Sequence, residues 1–329
     1  MSSVVIAIGL AACGSDEDSL AQAFDAVAKV PHVASLAVHQ DGALVREAYY
    51  GGTDRATLHD VRSVTKTVTS MLIGNALQTG CLTSVDQMLG DVLGDQAPSD
   101  PAHRVIRLRD LLTMASGVQW FENGAEGDYN AWASADNQVD FVLARPMVAT
   151  PGTTFNYNSG ALHLLSAAIT HACGPTLDFA AGGLFVALGI TSRTWETDNQ
   201  GIANGAAGLQ LATADLVQIG ELIRGGGALN GTRLVPADYV AAATSAQVQT
   251  NDGVDETPAY GYGIWIGQPP SGPAFSAAEG FGGQFIFVVP ERRAVIVATT
   301  DWQGLGAQAN TDYNQLYTVM LEDVLPAME

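Results

Sequence analysis

The residues best placed to do chemistry are a serine and a lysine three positions apart, Ser63 and Lys66. Residues i and i+3 share one face of a helix, so this spacing brings the lysine ammonium close to the serine hydroxyl. A serine hydroxyl is a poor nucleophile until a neighbouring base takes its proton. A lysine can be that base where burial lowers its pKa. The pair therefore predicts nucleophilic catalysis by Ser63 with Lys66 as its base.

The segment that follows, 67–77, favours this interpretation. It is apolar apart from glycine and small polar residues, and a helix that is apolar on most sides is a buried one. Lysine is rare in this chain, occurring only at positions 29 and 66, and a lysine at the head of a buried helix needs a reason. The ordinary alternative is that Ser63 is an N-cap and Lys66 a solvated helix residue.

Composition excludes several other functions. The 329 residues are 47% hydrophobic and 15% charged, as in a globular protein, and the net charge is -20. So acidic a chain repels nucleic acid and anionic lipid headgroups. The sequence contains no His-Glu-x-x-His motif, no Cys/His cluster with metal-ligand spacing and no phosphate-binding glycine loop. We therefore expect no metal, no cofactor and no nucleic-acid partner.

The first 19 residues resemble an export signal. Residues 4–12 are apolar, and Leu10-Ala11-Ala12-Cys13 is similar to a bacterial lipobox, in which the cysteine is lipidated. This pattern predicts a signal and polar tether over residues 1–19, a lipid anchor on Cys13, and a periplasmic or cell-surface location. No lysine or arginine precedes Cys13, so a first strand or helix packed on the core is the alternative.

Two further cysteines, Cys81 and Cys173, are far apart in the sequence. They could pair in an oxidising compartment, but sequence alone does not show that they are close. Two buried free cysteines are the favoured interpretation.

Strand and helix patterns predict an α+β fold. A helix is expected over 20–30, followed by strands at Val33–Val38 and Ala43–Tyr49 around an Asp41-Gly42 turn. Helices and long loops follow, and strands return near the end of the chain. The expected strands and final helix of this last part are 260–267, 284–290, 294–300 and 311–324. We predict an antiparallel sheet built from both chain ends (20–85 and 205–329), flanked by helices, with a mainly helical subdomain (86–204) inserted.

Two other segments complete a pattern with Ser63 and Lys66. Tyr157-Asn158-Ser159 lies at a turn before an apolar helix, and Gly280-Phe281-Gly282-Gly283-Gln284 opens a late strand. In this order the segments resemble the serine β-lactamase and penicillin-binding-protein superfamily. The likeness is greatest to its class C-like branch of esterases and amide hydrolases, which includes 6-aminohexanoate-dimer hydrolase. It runs from about residue 20 to 324 and implies a β-lactamase/DD-peptidase-like fold.

The resemblance implies roles for the residues of the first two segments. Ser63 would form the acyl-enzyme with Lys66 as its base. Tyr157 would be a second proton-transfer group with a phenol pKa lowered by the lysine. Ser159 would hydrogen-bond Lys66 or the substrate. The alternative for Tyr157 is a buried tyrosine of the core.

The third segment would complete the oxyanion hole. The backbone N–H groups of Ser63 and Gln284 would bind the oxyanion, while Gly282 and Gly283 would let the substrate approach the strand. A simple turn is the alternative for the two glycines. The β-lactamases and transpeptidases usually carry Lys-Thr-Gly here, whereas this chain has Phe281-Gly282-Gly283 and so lacks the cation that helps hold a substrate carboxylate.

These residues predict a serine hydrolase acting on a neutral or apolar carboxylic ester, or on a small amide. The loop from Trp120 to Trp132 could cover the substrate, with Trp120, Phe121, Tyr129 and Trp132 as candidate wall residues. The alternative is an ordinary surface loop whose aromatic side chains pack into the core. One alternative is a β-lactamase or D,D-peptidase that binds its acid through Arg292 or Arg293. Another is a non-catalytic anchored protein that binds a ligand.

Overall fold

In a computed structural model of the chain, residues 14–123, 127–250, 257–269 and 272–328 are described. The predicted lipobox and Cys13 lie outside these residues. Helix α1 (Gly14–Val27) includes residues 14–19, which were expected to form a polar tether, and the division of the chain at residue 19 stays a prediction. Among the described helices, none is long and apolar enough to cross a membrane.

The strands of the described chain form three antiparallel sheets. Their bounds are β1 (Val33–Gln40), β2 (Ala43–Tyr49), β3 (Leu58–Asp60), β4 (Thr194–Trp195), β5 (Leu209–Ala212), β6 (Ala228–Leu229), β7 (Thr232–Arg233), β8 (Val248–Gln249), β9 (Ala259–Tyr260), β10 (Trp265–Gly267), β11 (Phe275–Gly280), β12 (Gln284–Val289) and β13 (Ala294–Thr300). The main sheet has eight strands in the order β2-β1-β13-β12-β11-β10-β9-β8. The two ends of the chain thus meet in one sheet, as predicted.

Helices cover both faces of this sheet. Besides α1 they are α2 (Val64–Thr79), α3 (Leu89–Val92), α4 (Pro101–Arg104), α5 (Leu108–Leu112), α6 (Asp128–Ala133), α7 (Gln138–Leu143), α8 (Ser159–Cys173), α9 (Thr176–Ala180), α10 (Val186–Leu188), α11 (Thr213–Arg224), α12 (Ala237–Ala243) and α13 (Gln308–Val319). A π-helical turn, Ala181–Phe185, joins α9 to α10, and a second, Met320–Val324, extends α13. The α+β architecture is therefore confirmed.

Strand β12 shows how the sheet separates two cores. Because successive side chains point to opposite faces, Phe285 and Phe287 pack with Leu316 of α13 on one face. Ile286 and Val288 pack on the other face, in the large core that contains α2, α8 and α11. A strand covered on both sides is apolar at every position, which is why its sequence is a continuous hydrophobic run.

The segment 86–204 is mainly helical and contains α3 to α10 with one short strand, β4. Its longest helix, α8, packs beside α2, and residues of both helices belong to the same core. The division of the chain at residues 85 and 205 stays a prediction.

Two expectations from the sequence are wrong, and one strand was not predicted. The strand expected over 260–267 is a hairpin of β9 and β10, turned at Gly263 with φ 68°. Strand β11 is not predicted, because its Ser, Ala and Gly residues have low β propensity. Cys81 and Cys173 are not two buried free cysteines: they form a disulfide, and both are partly exposed.

Candidate active site

Ser63 lies at the amino end of α2 with its hydroxyl available for chemistry. It occupies the N-cap position, but its side chain makes no capping hydrogen bond, so the simple N-cap alternative fails. The preceding residue, Arg62, has a left-handed backbone with φ 48°. Such strain in a non-glycine residue is typical of functional sites. Here it is stabilised by Asp60, whose Oδ1 accepts a hydrogen bond from the Arg62 N–H at 3.0 Å.

Lys66 is buried and its amine is held against the Ser63 hydroxyl. Its Nζ donates to Ser63 Oγ at 2.7 Å and to the carbonyl oxygen of Ala206 at 3.2 Å, and only 1% of the residue is exposed. Burial lowers the pKa of Lys66 to about 8, against an opposing effect of the Glu122 carboxylate. At pH 7 roughly a tenth of the amine is then neutral and able to accept a proton. The solvated-lysine alternative is wrong.

Tyr157 completes the cluster from the amino end of α8. Its ring stacks on Trp265 at 5.7 Å between centroids, and Lys66 Nζ lies 4.9 Å from its ring centroid. Its hydroxyl hydrogen-bonds Ser63. Burial and, next, the Glu122 carboxylate raise the pKa of Tyr157, although the bond to Ser63 opposes them. The expected tyrosinate is therefore wrong for the free protein, and the phenol stays neutral.

Ser159 lies near these residues but bonds elsewhere. Its N–H donates to Glu122 Oε2 at 3.0 Å, and its hydroxyl donates to Glu122 Oε1. Trp120 Nε1 also donates to Glu122 Oε2. Glu122 thus accepts hydrogen bonds from the first turn of α8, where the positive end of the helix dipole stabilises a negative charge. No bond from Ser159 to Lys66 is present among the described residues.

The third segment contributes differently from the prediction. Gly280 lies against the chain before the nucleophile, since a Cβ on Gly280 would meet the Val61 carbonyl oxygen at 2.4 Å. Gly280 and Phe281 both line the cavity beside Ser63. Gln284 is fully buried and does not line it; its side chain donates to Thr300.

The two glycines of this segment form a turn. Gly282 and Gly283 have φ of 83° and 103°, which favours glycine. A Cβ on Gly282 would meet Trp302 Cβ at 2.4 Å. Neither glycine lines the cavity, and their backbone conformation is that of the turn alternative.

A cleft of two adjoining cavities opens over Ser63. The first, of about 580 Å³, is lined by Ser63, three charged side chains and several aromatic and polar residues. Its charged residues are Arg62, Glu122 and Glu279. The second, of about 520 Å³, is lined mainly by aromatic residues and shares Glu122, Asn123, Tyr157 and Trp265 with the first.

The expected wall residues divide into three groups. Trp120 and Phe121 line the second cavity, and Tyr129 lines the first. Trp132 is fully buried and packs edge-on against Trp120 at 6.1 Å, so it belongs to the core. The expectation for Trp132 is wrong.

The arginines proposed for an acid-binding alternative are remote from the cleft. Arg293 pairs with Asp41 at the turn that follows β12, at the opposite end of that strand from Gln284. Neither Arg292 nor Arg293 lines either cavity. The cation in the cleft is Arg62, which sequence reasoning did not select.

Sequence reasoning also missed Glu122 and Glu279. Each is a single carboxylate in an ordinary context, and its partners come from distant segments. The described residues contain no cluster of His, Cys, Asp or Glu that could hold a metal ion.

Comparisons with known proteins agree with this fold. The family model described as "Beta-lactamase" matches residues 18–318. No curated protein sequence matches the chain. Among solved structures, EstCE1, described as a hydrolase with promiscuous acyltransferase activity, aligns with a TM-score of 0.74 at 17% identity, covering 92% of this chain and 99% of the other.

Two further structures show the same fold. A protein described as a candidate 6-aminohexanoate-dimer hydrolase from Bacillus anthracis aligns with a TM-score of 0.71 at 18% identity, covering 90% of this chain and 81% of that one. A penicillin-binding-protein homologue from Pyrococcus abyssi, described as octameric, aligns at 0.68 and 19% identity, covering 94% and 77%.

Proposed function

Because the chain belongs to the beta-lactamase family, we propose that it is a serine hydrolase that cleaves a carboxylic ester or a small amide through an acyl-enzyme. The observation that carries the proposal is the buried contact of 2.7 Å between Lys66 Nζ and Ser63 Oγ. A buried amine with a pKa of about 8 accepts a proton near neutral pH far more readily than an ordinary lysine.

In the first step, the neutral Lys66 amine takes the proton of Ser63 Oγ as that oxygen attacks the substrate carbonyl carbon. The backbone N–H groups of Ser63 and Phe281 stabilise the oxyanion, in place of Ser63 and Gln284, because Phe281 lines the cavity and Gln284 does not. The carbonyl then re-forms and the bond to the leaving group breaks.

Tyr157 delivers the proton that the leaving group needs. Its phenol, kept neutral by burial, protonates the departing oxygen or nitrogen, and the Lys66 ammonium returns a proton to the phenolate. A water molecule then attacks the acyl-enzyme while Lys66 takes its proton. Lys66 passes that proton to Ser63 Oγ as the bond between Oγ and the acyl carbon breaks. The sum is one ester or amide plus water giving one acid plus one alcohol or amine.

A neutral or apolar substrate is supported by the third segment. Phe281 stands where a lysine commonly binds a substrate carboxylate in β-lactamases, and Glu122 and Glu279 add negative charge to the cleft. A penicillin-like acid would lack a free cation, since Arg62 already faces Asp60 at 3.7 Å.

Intact mass after incubation with a fluorophosphonate, beside a panel of p-nitrophenyl esters, tests the proposal. We expect one adduct on the wild type, none on Ser63→Ala, and ester turnover that falls by several orders of magnitude in that variant. Ser84→Ala, outside the cleft, is the control. Labelling of folded Ser63→Ala would show that another residue is the nucleophile and would overturn the role of Ser63. No adduct on the wild type would favour a ligand-binding protein, and nitrocefin turnover without ester turnover would favour a β-lactamase.

We also propose that the protein is exported and anchored through lipidated Cys13. The lipobox-like Leu10-Ala11-Ala12-Cys13 supports this, and so does the Cys81–Cys173 disulfide, since disulfides persist mainly in oxidising compartments. Palmitate labelling of the wild type and of Cys13→Ala, expressed in a bacterium, tests it. Equal labelling of both proteins would overturn the proposal.

A further inference from the structure

We propose that the ester or amide cleaved at this site carries a protonated amine, and that the Glu279 carboxylate binds that amine. This inference rests on the proposed hydrolase function. It replaces the neutral ester or amide of that proposal with a cationic one, and it follows from how the charges of the cleft are paired.

The other charges of the cleft have partners of opposite sign. Arg62 faces Asp60, with 3.7 Å between Nη1 and Oδ2, and its guanidinium lies 4.7 Å from the ring centroid of Trp302. Lys66 and Glu122 lie near enough for the carboxylate to raise the lysine pKa. Both Glu122 oxygens also accept hydrogen bonds from Ser159.

Glu279 has no such partner. It is the penultimate residue of β11, immediately before the Gly280–Phe281 wall beside Ser63, and it lines the first cavity. Tyr313 of α13 donates its hydroxyl to Glu279 Oε2 at 2.5 Å. Oε1 is buried without a hydrogen-bond partner, and no cation among the described residues faces the carboxyl.

An unpartnered carboxylate is costly in a buried setting, and burial accordingly raises the pKa of Glu279 to about 7. A cation with an N–H group supplies what is missing, because it neutralises the charge and can donate to the carboxylate after a small rotation of its oxygens. A neutral substrate would leave the carboxyl as it is, and an anionic substrate would be repelled. A protonated amine is the common group that does both, neutralising the charge and donating to the carboxylate.

Two pairs of isosteric esters test the proposal, one for each half of the substrate. In the alcohol half, 2-(dimethylamino)ethyl butyrate is compared with 3-methylbutyl butyrate. In the acyl half, ethyl 4-(dimethylamino)butanoate is compared with ethyl 5-methylhexanoate. In each pair a protonated nitrogen replaces a CH group with little change of shape. Hydrolysis is followed by pH-stat at pH 7.5, and the quantity compared is the cation-to-neutral ratio of kcat/KM.

We expect this ratio to be at least about tenfold for one of the two pairs in the wild type. In Glu279→Gln it should fall toward one, while Glu291→Gln, which removes an exposed carboxylate outside the cleft, should keep the wild-type ratio. A wild-type ratio near one for both pairs overturns the inference, even if Glu279→Gln fails to fold. The inference is also overturned if the wild-type ratio is high and folded Glu279→Gln keeps the same ratio.

Failure of the inference is distinguishable from failure of the proposed function. If Ser63 is labelled by the fluorophosphonate and neutral esters are hydrolysed as well as cationic ones, the hydrolase stands and the amine preference is wrong. If Ser63 is not labelled, the hydrolase itself is wrong, and the inference falls with it.

Discussion

Cys81 and Cys173 join the carboxyl ends of the two helices whose amino ends carry Ser63 and Tyr157. Helices α2 and α8 therefore run side by side in the same direction, with Ser63 and Tyr157 at one end and a covalent link at the other. Helix α2 has 16 residues and is about 24 Å long. The disulfide thus fixes the alignment of the helices far from the reacting atoms.

Removing this link should reduce stability much more than activity. The cysteines are 92 residues apart, and closing a loop of that size stabilises the folded state by about 4 kcal/mol. The Cys81→Ser/Cys173→Ser double variant should therefore have a clearly lower urea midpoint, with kcat at 25 °C near the wild-type value. Reduced wild type is the control. An unchanged midpoint would contradict this role of the disulfide.

The sequence predicted the elements that depend on local pattern. Helix α2 follows from its apolar segment, and the β1–β2 turn from Asp41-Gly42, which adopt φ of 55° and 80°. Ser63 and Lys66 lie together because a three-residue spacing places them on one face of a helical turn. Such features need only neighbouring residues.

What the sequence did not predict depends on distant residues. The disulfide requires the ends of α2 and α8 to meet, which is decided by packing of the whole core. The pKa of Tyr157 was expected to fall, but burial and the Glu122 carboxylate raise it. The carboxylate of Glu279 accepts a hydrogen bond from Tyr313 of α13, a helix near the far end of the chain.

The two lysines of the chain provide a matched test of the base. Lys66→Met should lower kcat/KM for an ester at least about a thousandfold, because the Ser63 proton then has no acceptor. Lys29→Met removes the same charge from an exposed residue and should behave as wild type. Circular dichroism is used to check that both variants are folded. Equal activity of the two would exclude Lys66 as the base.

The pH dependence of kcat/KM should show the titration of Lys66. The neutral amine is the active form, so kcat/KM should rise with pH and level off above about pH 8, where Lys66 loses its proton. Glu122 raises the pKa of Lys66, so Glu122→Gln should move this limb to lower pH. Asp136→Asn, outside the cleft, is the control. A shift to higher pH, or none, would show that Glu122 does not act on the lysine.

Glu279 should make the protein less stable at alkaline pH than at acid pH. Its pKa rises from 4.5 to about 7 on folding, because burial disfavours the carboxylate. Between these values the folded state binds more protons than the unfolded state, so stability is lost as pH rises through this window. Glu279→Gln should remove up to about 3 kcal/mol of this decrease in the free energy of unfolding. Urea midpoints at pH 5 and pH 8 measure it, and a variant with the same pH dependence as wild type would refute the effect.

Phe281→Lys should increase acylation by anionic β-lactams. Phe281 lines the cavity beside Ser63, is 37% exposed and contacts Trp302 edge-on at 5.6 Å, so a lysine there can reach a substrate carboxylate without disturbing the core. A charged partner at a partly exposed site should raise the acylation rate by roughly tenfold. The rate is measured by intact mass with benzylpenicillin, and Val186→Lys, an exposed position outside the cleft, controls for the added charge. No gain over Val186→Lys would mean that residue 281 does not decide recognition of acids, and that the carboxylates Glu122 and Glu279 exclude them whatever stands there.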